Sequence, residues 1–481
     1  MTSADTANAS RPLALARGLA LFIKRSPSMF HSVSAAREEL DGAGFTYLPE
    51  GCAWGGAIVP GGSYYTVRNG SSLIAWRVAR DPGAAGEGYH FQLAAAHADS
   101  PTFKVKAAPE LDGPGESLRL DVEAYGGMID YTWFDRPLGL AGRVLVREGG
   151  RVTSRLLSIT RPVALIPSLA IHMDREVNKA FGPNRAVDLC PLFSAGGLAR
   201  GAFDGLIAAE LGVPAADVLA RDVFLVNLQE PVLWGAAGAA VPAPGEAAGD
   251  GVGAVTDRAA AEACPEFISA PKLDDLMCAY TALTAFTAAA PRAGVNVYCL
   301  FDNEEVGSNT KQGAMSTLLA DVLARVNAAL GHDEEDLRRA VSASMLVSCD
   351  NAHAVHPNHP EVADVANRPV LNGGIVIKEA ANQLYCTDAF SRAVFAAVCD
   401  RASVPHQTFA NRSDMAGGST LGNLSNIQVS MHAVDVGCPQ LAMHSSFETA
   451  GARDVAHAVD ALEVFFGTDV RIDGFEGFEL R

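Results

Sequence analysis

Apolar and polar positions change their period several times along this chain. Pro12 to Ile23 carries an apolar stripe interrupted by Arg17 and reads as an amphipathic first helix. Ser32 to Leu40 reads as a second. Ser72 to Val78 and Tyr89 to Ala96 read as strands. The second of these is nearly all apolar, as expected of a strand covered on both faces of a sheet. It delivers His97 at its C-terminal end, where open α/β sheets bind ligands.

From Thr102 to Asn227 the texture becomes mostly β, in short alternating segments. Gly142 to Glu148 and Arg151 to Ile159 flank Gly149-Gly150, which predicts a hairpin. Val163 to His172 continues the strand character, and one helix is predicted near Phe203 to Leu211. The stretch 235–264 is rich in Ala, Gly and Pro and reads as a loop or linker. An α/β alternation follows. Helices are predicted from Leu273, over Ser316–Leu330, Ser391–Arg401 and Asp454–Phe466. Strands are predicted over Val295–Phe301 and Met345–Cys349 and within His432–Met443. Such alternation implies an α/β fold with a mostly parallel sheet flanked by helices.

Composition narrows the possibilities. With 481 residues, 49% hydrophobic and 19% charged, the chain is globular and long enough for two or three domains. Its 37 Lys+Arg against 55 Asp+Glu leave a formal charge of −18, which argues against non-specific nucleic-acid binding and against docking on anionic lipid. No run of about 18 apolar residues could span a membrane. Arg17 breaks the one signal-peptide candidate, and no small-residue cleavage site follows it. The nine cysteines are scattered without a CxxC pair, which suggests reduced thiols and a cytoplasmic protein.

Candidate chemistry sits where apolar strands run into acids or histidines: His97 in AAAHADSP, Asp274 in PKLDDL, Glu304-Glu305 in LFDNEEVGS, Asp350 in LVSCDNAH and His444 in LAMHSS. Taken singly, each has an ordinary reading as a turn, a helix cap or a surface residue. As a set they are harder to dismiss, because acidic residues seldom interrupt apolar strands. Two imidazoles with carboxylates suit zinc or cobalt. A two-metal site needs one carboxylate to bridge ions about 3.5–4 Å apart, and another can act as general base. Asp99, two positions after His97, could orient that ring or cap the turn at Ser100-Pro101.

At the level of whole motifs the chain resembles the M18 family of metallopeptidases, the aspartyl aminopeptidase family. The resemblance rests on nine blocks in order. They are SPSMFHSV at 26–33, HADSPTFKVK at 97–106, YGGMIDYTWFDRPLGLAGRV at 125–144, PSLAIHMDREVN at 167–178 and ISAPKLDDL at 268–276. FDNEEVGSNTKQGAMS at 301–316, CDNAHAVHPNHPE at 349–361, RPVLNGGIVIKEAANQLYCTD at 368–388 and DVGCPQLAMHSSFETAG at 435–451 complete the set.

The resemblance implies a discontinuous catalytic α/β domain, 1–99 and 250–481, with residues 100–249 inserted as a β-rich dimerisation domain. It implies two divalent ions, zinc or else cobalt or manganese. Asp274 would bridge them, Glu305 and His444 would complete one ion's ligands, and His97 and Asp350 the other's. Glu304 would be the general base on a metal-bridging water, with Asp99 behind His97. His172 would help stabilise the tetrahedral intermediate in a neighbouring subunit. Lys378 would favour an N-terminal Asp or Glu on the peptide substrate, and His353, Asp414, Gly418 and Ser419 would lie near the substrate. Dimers would assemble into a tetrahedral dodecamer.

Three positions depart from the family pattern: Asp275 stands where Asn is expected, and Leu384 and Phe447 stand where Arg is expected. The last two remove positive charge near a pocket meant for anions. Rival readings are therefore an aminopeptidase of neutral or broad preference, a non-catalytic shell-forming homologue, and a metal-dependent deacylase.

Overall fold

A computed structural model describes residues 11–83, 88–236 and 265–481. Most of the Ala/Gly/Pro-rich stretch 235–264, and with it the expected boundary at 249/250, lies outside the described residues. The first strands are β1 (Thr46–Tyr47), β2 (Ser63–Arg68), β3 (Ser72–Val78) and β4 (Phe91–His97). Next come β5 (Thr102–Asp112), β6 (Ser117–Tyr125), β7 (Leu138–Glu148), β8 (Arg151–Ala164), β9 (Leu192–Ala195) and β10 (Val218–Asn227). They are followed by β11 (Val232–Trp234), β12 (Phe267–Ala270), β13 (Val295–Phe301), β14 (Met345–Cys349), β15 (Ala352–His353) and β16 (Ile375–Glu379). The last are β17 (His406–Ala410), β18 (His432–Gly437), β19 (Pro439–Leu441), β20 (Glu448–Gly451) and a closing hairpin, β21 (Val470–Asp473) and β22 (Gly477–Leu480).

Nine strands form the main sheet in the order β1-β2-β3-β13-β4-β14-β18-β16-β17. It is mixed. β13, β4, β14 and β18 run parallel at the centre, while β3 against β13 and β16 against β18 are antiparallel. The β2–β3 hairpin, turning through Asn69-Gly70 with both residues at positive φ, is what brings an antiparallel strand to the sheet's middle.

Alternate residues of the central strands feed two cores. From β4, Ala94 and Ala96 join one cluster, and Leu93 and Ala95 the other. Helices Arg11–Arg25, Met29–Gly42, Leu273–Ala288, Ala389–Ala402 and Asp454–Gly467 cover the first face. Helices Leu318–Ala329, Glu334–Ser342 and Leu421–Gln428 cover the second. Double coverage explains the unbroken apolar runs of β4, β13 and β14, whose residues are all buried.

A separate antiparallel sheet, β8-β7-β10-β5-β6-β9, occupies residues 102–227 and packs its own core, with helix Ala202–Leu211 contributing Phe203 and Ile207. The predicted hairpin is present, with Gly149 and Gly150 both at positive φ. The strand character expected through His172 is not. β8 ends at Ala164, isolated bridges follow at Leu165 and Ile166, and the chain then leaves the sheet at Pro167, which has no N–H to offer a ladder.

A third, small sheet, β11-β12-β20-β19-β15, was not anticipated. Its strands are two to four residues long, too short to show a period in the sequence. Among the described residues no helix is long and apolar enough to cross a membrane.

Candidate active site

The parallel centre of the main sheet brings its carboxyl ends together, and three of the candidate segments sit there. β4 ends in His97, and its register partner in β13 is Phe301, so the turn Asp302-Asn303-Glu304-Glu305 begins beside His97. β14, on the other flank of β4, ends at Cys349 and passes directly into Asp350. The small sheet supplies the rest. Asp274 follows β12 at the start of a helix, and His444 lies on the loop between β19 and β20.

These side chains meet. His97 Nε2 lies 3.4 Å from Asp274 Oδ1, and His444 Nε2 lies 3.4 Å from both Asp274 Oδ2 and Glu305 Oε2. The two oxygens of Asp274 thus face two different imidazoles. Three overlapping groups have donor atoms within 4.8 Å of one another: His97, Asp274, Asp275 and Asp350; His97, Glu304 and Glu305; and Asp274, Glu305 and His444.

Their supports are equally specific. His444 Nδ1 sits 2.6 Å from the carbonyl oxygen of Gly127, so Nδ1–H donates there and Nε2 is left to face the carboxylates. His97 Nδ1 lies 3.1 Å from the Asp99 carbonyl and 3.4 Å from its carboxylate. Asp99 therefore does more than orient a ring. Its carboxylate accepts the backbone N–H of Glu304 and of Glu305, each at 3.2 Å, and the Tyr125 hydroxyl at 2.7 Å. One buried acid pins the turn that carries both glutamates. Gly126, at φ +84, passes so close that a Cβ there would lie 3.1 Å from Glu305 Cβ. Tyr125, Gly126 and Gly127 come from the end of β6, so the antiparallel sheet contributes directly to the site.

Packing so many acids together has electrostatic consequences. Burial opposes charge on Asp274, but His444 and His97 outweigh it and hold its pKa below the usual range. Burial pushes Glu304 up to about 8; His97 partly offsets this, and Asp350, Asp99 and Asp274 add to it. Burial also raises Glu305, Asp275 and Asp350. Burial alone would lower His444, yet Asp274 and Glu305 lift it to about 10. His97 is raised likewise, by Asp275, Asp274 and Asp99 against the effect of burial.

Whether these residues suit a metal is answered by their spare valences. Asp274 Oδ1, Asp275 Oδ1 and Glu305 Oε1 are buried and accept no hydrogen bond. Buried carboxylate oxygens without partners are costly. Beside two imidazoles they form an N/O donor set of the kind that holds zinc, cobalt or manganese.

A cavity of about 420 Å³ opens over the cluster. His97, Asp274, Glu304, Glu305, Asp350 and His444 line it, as do Lys378, His353, Gly418 and Ser419. Lys378, on β16, is fully buried; its Nζ lies 3.4 Å from Asp350 Oδ1 and 3.3 Å from the Asn351 carbonyl, and 5.2 Å from the centre of the Tyr385 ring. Burial would lower that ammonium, but Asp350 keeps it raised. Two expected residues lie elsewhere. Asp414 is exposed and paired with Arg412 through Oδ2 at 2.7 Å, outside the cavity. His172, expected to act in a neighbouring subunit, is exposed on a turn and does not line this chain's cavity. Tyr125, Gly127, Tyr385 and Glu448 were given no role from the sequence; the Tyr-Gly-Gly signal of the first two was visible, but its target was not.

The family model for "Aminopeptidase I zinc metalloprotease (M18)" matches residues 22–247 and 258–466. The chain is 38% identical over 455 residues to a probable M18 family aminopeptidase 2 of Clostridium novyi, covering 92% of this chain and 96% of that one. Among solved structures it is similar to Ape4 in a complex with Nbr1, with a TM-score of 0.85 and 33% identity over 94% of this chain and 85% of that one. It is also similar to the mApe1 dodecamer of S. cerevisiae, with a TM-score of 0.78 and 27% identity over 94% of this chain and 96% of that one.

Proposed function

The chain belongs to the M18 family of zinc metalloproteases and is an aminopeptidase, and from that premise we propose that it is a dinuclear enzyme releasing N-terminal Asp or Glu from peptides. The observation that carries the two-ion reading is Asp274: it belongs to two donor groups at once, with one oxygen toward His97 and the other toward His444. His97, Asp274 and Asp350 would hold one divalent ion, and Asp274, Glu305 and His444 the other. Zinc is the natural choice, with cobalt or manganese suited to the same donors. Bound there, the ions would polarise the scissile carbonyl and acidify the attacking water.

The chain's own groups do the rest. Glu304 lines the cavity without belonging to either proposed ion's ligand set, and it takes the proton from the attacking water and returns one to the leaving amine. Asp99 fixes the backbone of Glu304 and Glu305, so base and ligand keep their spacing. Lys378 offers a charge to an acidic first side chain, with His353, Gly418 and Ser419 on the same wall. A second reading, a neutral or broad preference, is favoured by one observation: Asp350 already neutralises the Lys378 ammonium, in a wall shared with Phe409, Leu424 and Met443.

We further propose that residues 100–249 mediate dimerisation and that dimers build a tetrahedral dodecamer. The likeness to a dodecameric relative supports this, as does the exposure of Leu169, Ile171, Met173, Phe181 and Val187 around His172. His172 would then complete a neighbour's cavity. The free cysteines among the described residues, most of them buried, fit a cytoplasmic enzyme.

The experiment is release of the first residue from matched peptides beginning with Asp, Glu, Leu or Ala, by metal-reconstituted protein, with chelator and Glu304→Gln controls. Fastest release of Asp and Glu, abolished by both controls, is the expected result. Faster release of Leu or Ala replaces the specificity and leaves the two-ion reading standing. No release with any metal overturns the catalytic reading.

A further inference from the structure

Two of the ligands just proposed, Asp274 and His444, come from different segments of the small sheet, and neither belongs to the main sheet that carries His97 and Asp350. Something must fix the spacing between them. His444 makes the question sharper, because its backbone is left-handed, at φ +67, and Ala442 two residues earlier is at φ +57. Such backbone persists only where the surroundings over-determine it.

The contacts that do so converge on Glu448, at the start of β20 and 1% exposed. Its Oε2 accepts the Asp274 N–H at 3.0 Å, and its Oε1 accepts the His444 N–H at 2.7 Å. One carboxylate thus spans both ligand-bearing segments. A chain of buried amides extends the link to the third segment. Gln440 Nε2 donates to Glu448 Oε1 at 3.4 Å, and Asn351 Nδ2 donates to Gln440 Oε1 at 2.8 Å. Asn351 directly follows Asp350, and its Nδ2 also donates to the Leu273 carbonyl at 2.9 Å, one residue before Asp274. Asn351, Gln440 and Glu448 are each no more than 2% exposed. Glu448 does not line the cavity over the cluster, and its hydrogen bonds to the two ligands are to their backbone.

We propose that Glu448 is a positioning residue for the metal centre, setting the distance between Asp274 and His444 and, through Gln440 and Asn351, their placement relative to Asp350. The proposal rests on the reading of Asp274 and His444 as ligands. Its physical basis is that an acceptor-only carboxylate can receive two N–H groups from two segments, whereas an amide of the same shape presents an NH₂ to one of them. Outer-shell partners of metal ligands characteristically change metal affinity by about 10–100-fold when removed.

The test measures zinc affinity by competition with a chromogenic chelator, and the visible spectrum of the cobalt-loaded protein, for wild type, Glu448→Gln and Glu448→Asp. Glu304→Gln serves as a control that removes the base and leaves the ligands. Expected are zinc affinity reduced about 10–100-fold in Glu448→Gln, an altered cobalt spectrum, and both properties preserved in Glu304→Gln. Glu448→Asp keeps the charge but not the reach, so it should also bind zinc more weakly. If folded Glu448→Gln and Glu448→Asp bind zinc within twofold of wild type with an unchanged cobalt spectrum, the positioning role is overturned. Failure of both variants to fold also overturns it and assigns the residue to folding. The two readings fail separately. Weakened zinc binding in Glu448→Gln, beside a wild type that cleaves no peptide, keeps the positioning role and removes the peptidase mechanism. Full activity in wild type with unaltered zinc binding in Glu448→Gln does the reverse.

Discussion

Loading the metal-free enzyme with zinc should release protons, because the acids and histidines of the site hold one another's pKa values away from their ordinary ranges. His97 and His444 are both lifted above the ordinary imidazole value by the acids around them, His444 to about 10. Near neutral pH the His444 ring is therefore protonated and must become neutral to bind a metal, and His97 is shifted in the same direction. For His444 the gap of roughly three pH units at pH 7 is worth about 4 kcal/mol of opposition to binding. With at least the His444 proton displaced, the apparent constant for filling the centre should climb at least about 10-fold per pH unit between pH 6 and 7.5. The assay is calorimetric titration of metal-free protein with zinc in buffers of different ionisation enthalpy, which counts protons directly. At least one proton per filled centre is expected, and about one fewer in His444→Ala. Fewer than one proton in wild type would mean that the His444 imidazole is not a displaced group, and its assignment as a ligand would fall with it.

The same shifts set the stability of the metal-free protein. The carboxyl of Glu304 is raised to about 8, chiefly by burial, so the folded state keeps a proton that the unfolded chain has already lost. Its contribution is complete at low pH and is lost as pH rises toward 8; His444 acts with the same sign, losing its contribution as pH rises toward 10. Chelator-treated protein should melt at steadily lower temperature from pH 5 to 9, while the loaded protein changes less, and a metal-free midpoint that rises with pH would refute the assignment. Glu304→Gln should lower kcat by about 10²–10⁴ with zinc content unchanged; loss of zinc instead would make Glu304 a ligand. Lys378→Met should reduce kcat/KM for Asp and Glu peptides by about 10–100-fold, the range of a charge-assisted contact of roughly 1.5–3 kcal/mol, and leave Leu peptides nearly unchanged. Equal losses on both would move the specificity elsewhere. Asp99→Asn should cut kcat/KM about 10–100-fold by freeing the Glu304-Glu305 turn, and an activity within twofold of wild type would show that the turn holds itself.

How much of this could be seen in the sequence follows from where each residue's partners lie. His97, Glu304, Glu305 and Asp350 were legible because their strands are buried on both faces and end in charge, which an apolar run cannot hide. The direction of the strands was only partly legible. An α/β alternation implies parallel neighbours, but the β2–β3 hairpin and the pairing of β16 with β18 add antiparallel ones, and nothing in an apolar run of five residues states its direction. Asp274 and His444 stood out as isolated acids and imidazoles, yet their meeting depends on strands of two to four residues, below the length at which a period exists. The strand expected through His172 failed for a related reason. Leu169 and Ile171 alternate as a half-buried strand would, but they are exposed, and alternation alone cannot say whether an apolar face is covered by this chain or by another. That ambiguity is itself informative. An apolar alternating segment that leaves its sheet and stays exposed is what the proposed subunit exchange of His172 calls for. Lys378 shows the opposite limit. The family resemblance implied a pocket cation for an acidic side chain, whereas its ammonium is held by Asp350 and the Asn351 carbonyl. Its availability to substrate thus depends on how far a bound ion draws Asp350 away, and acidic preference and metal occupancy should fall together when the centre is titrated with chelator.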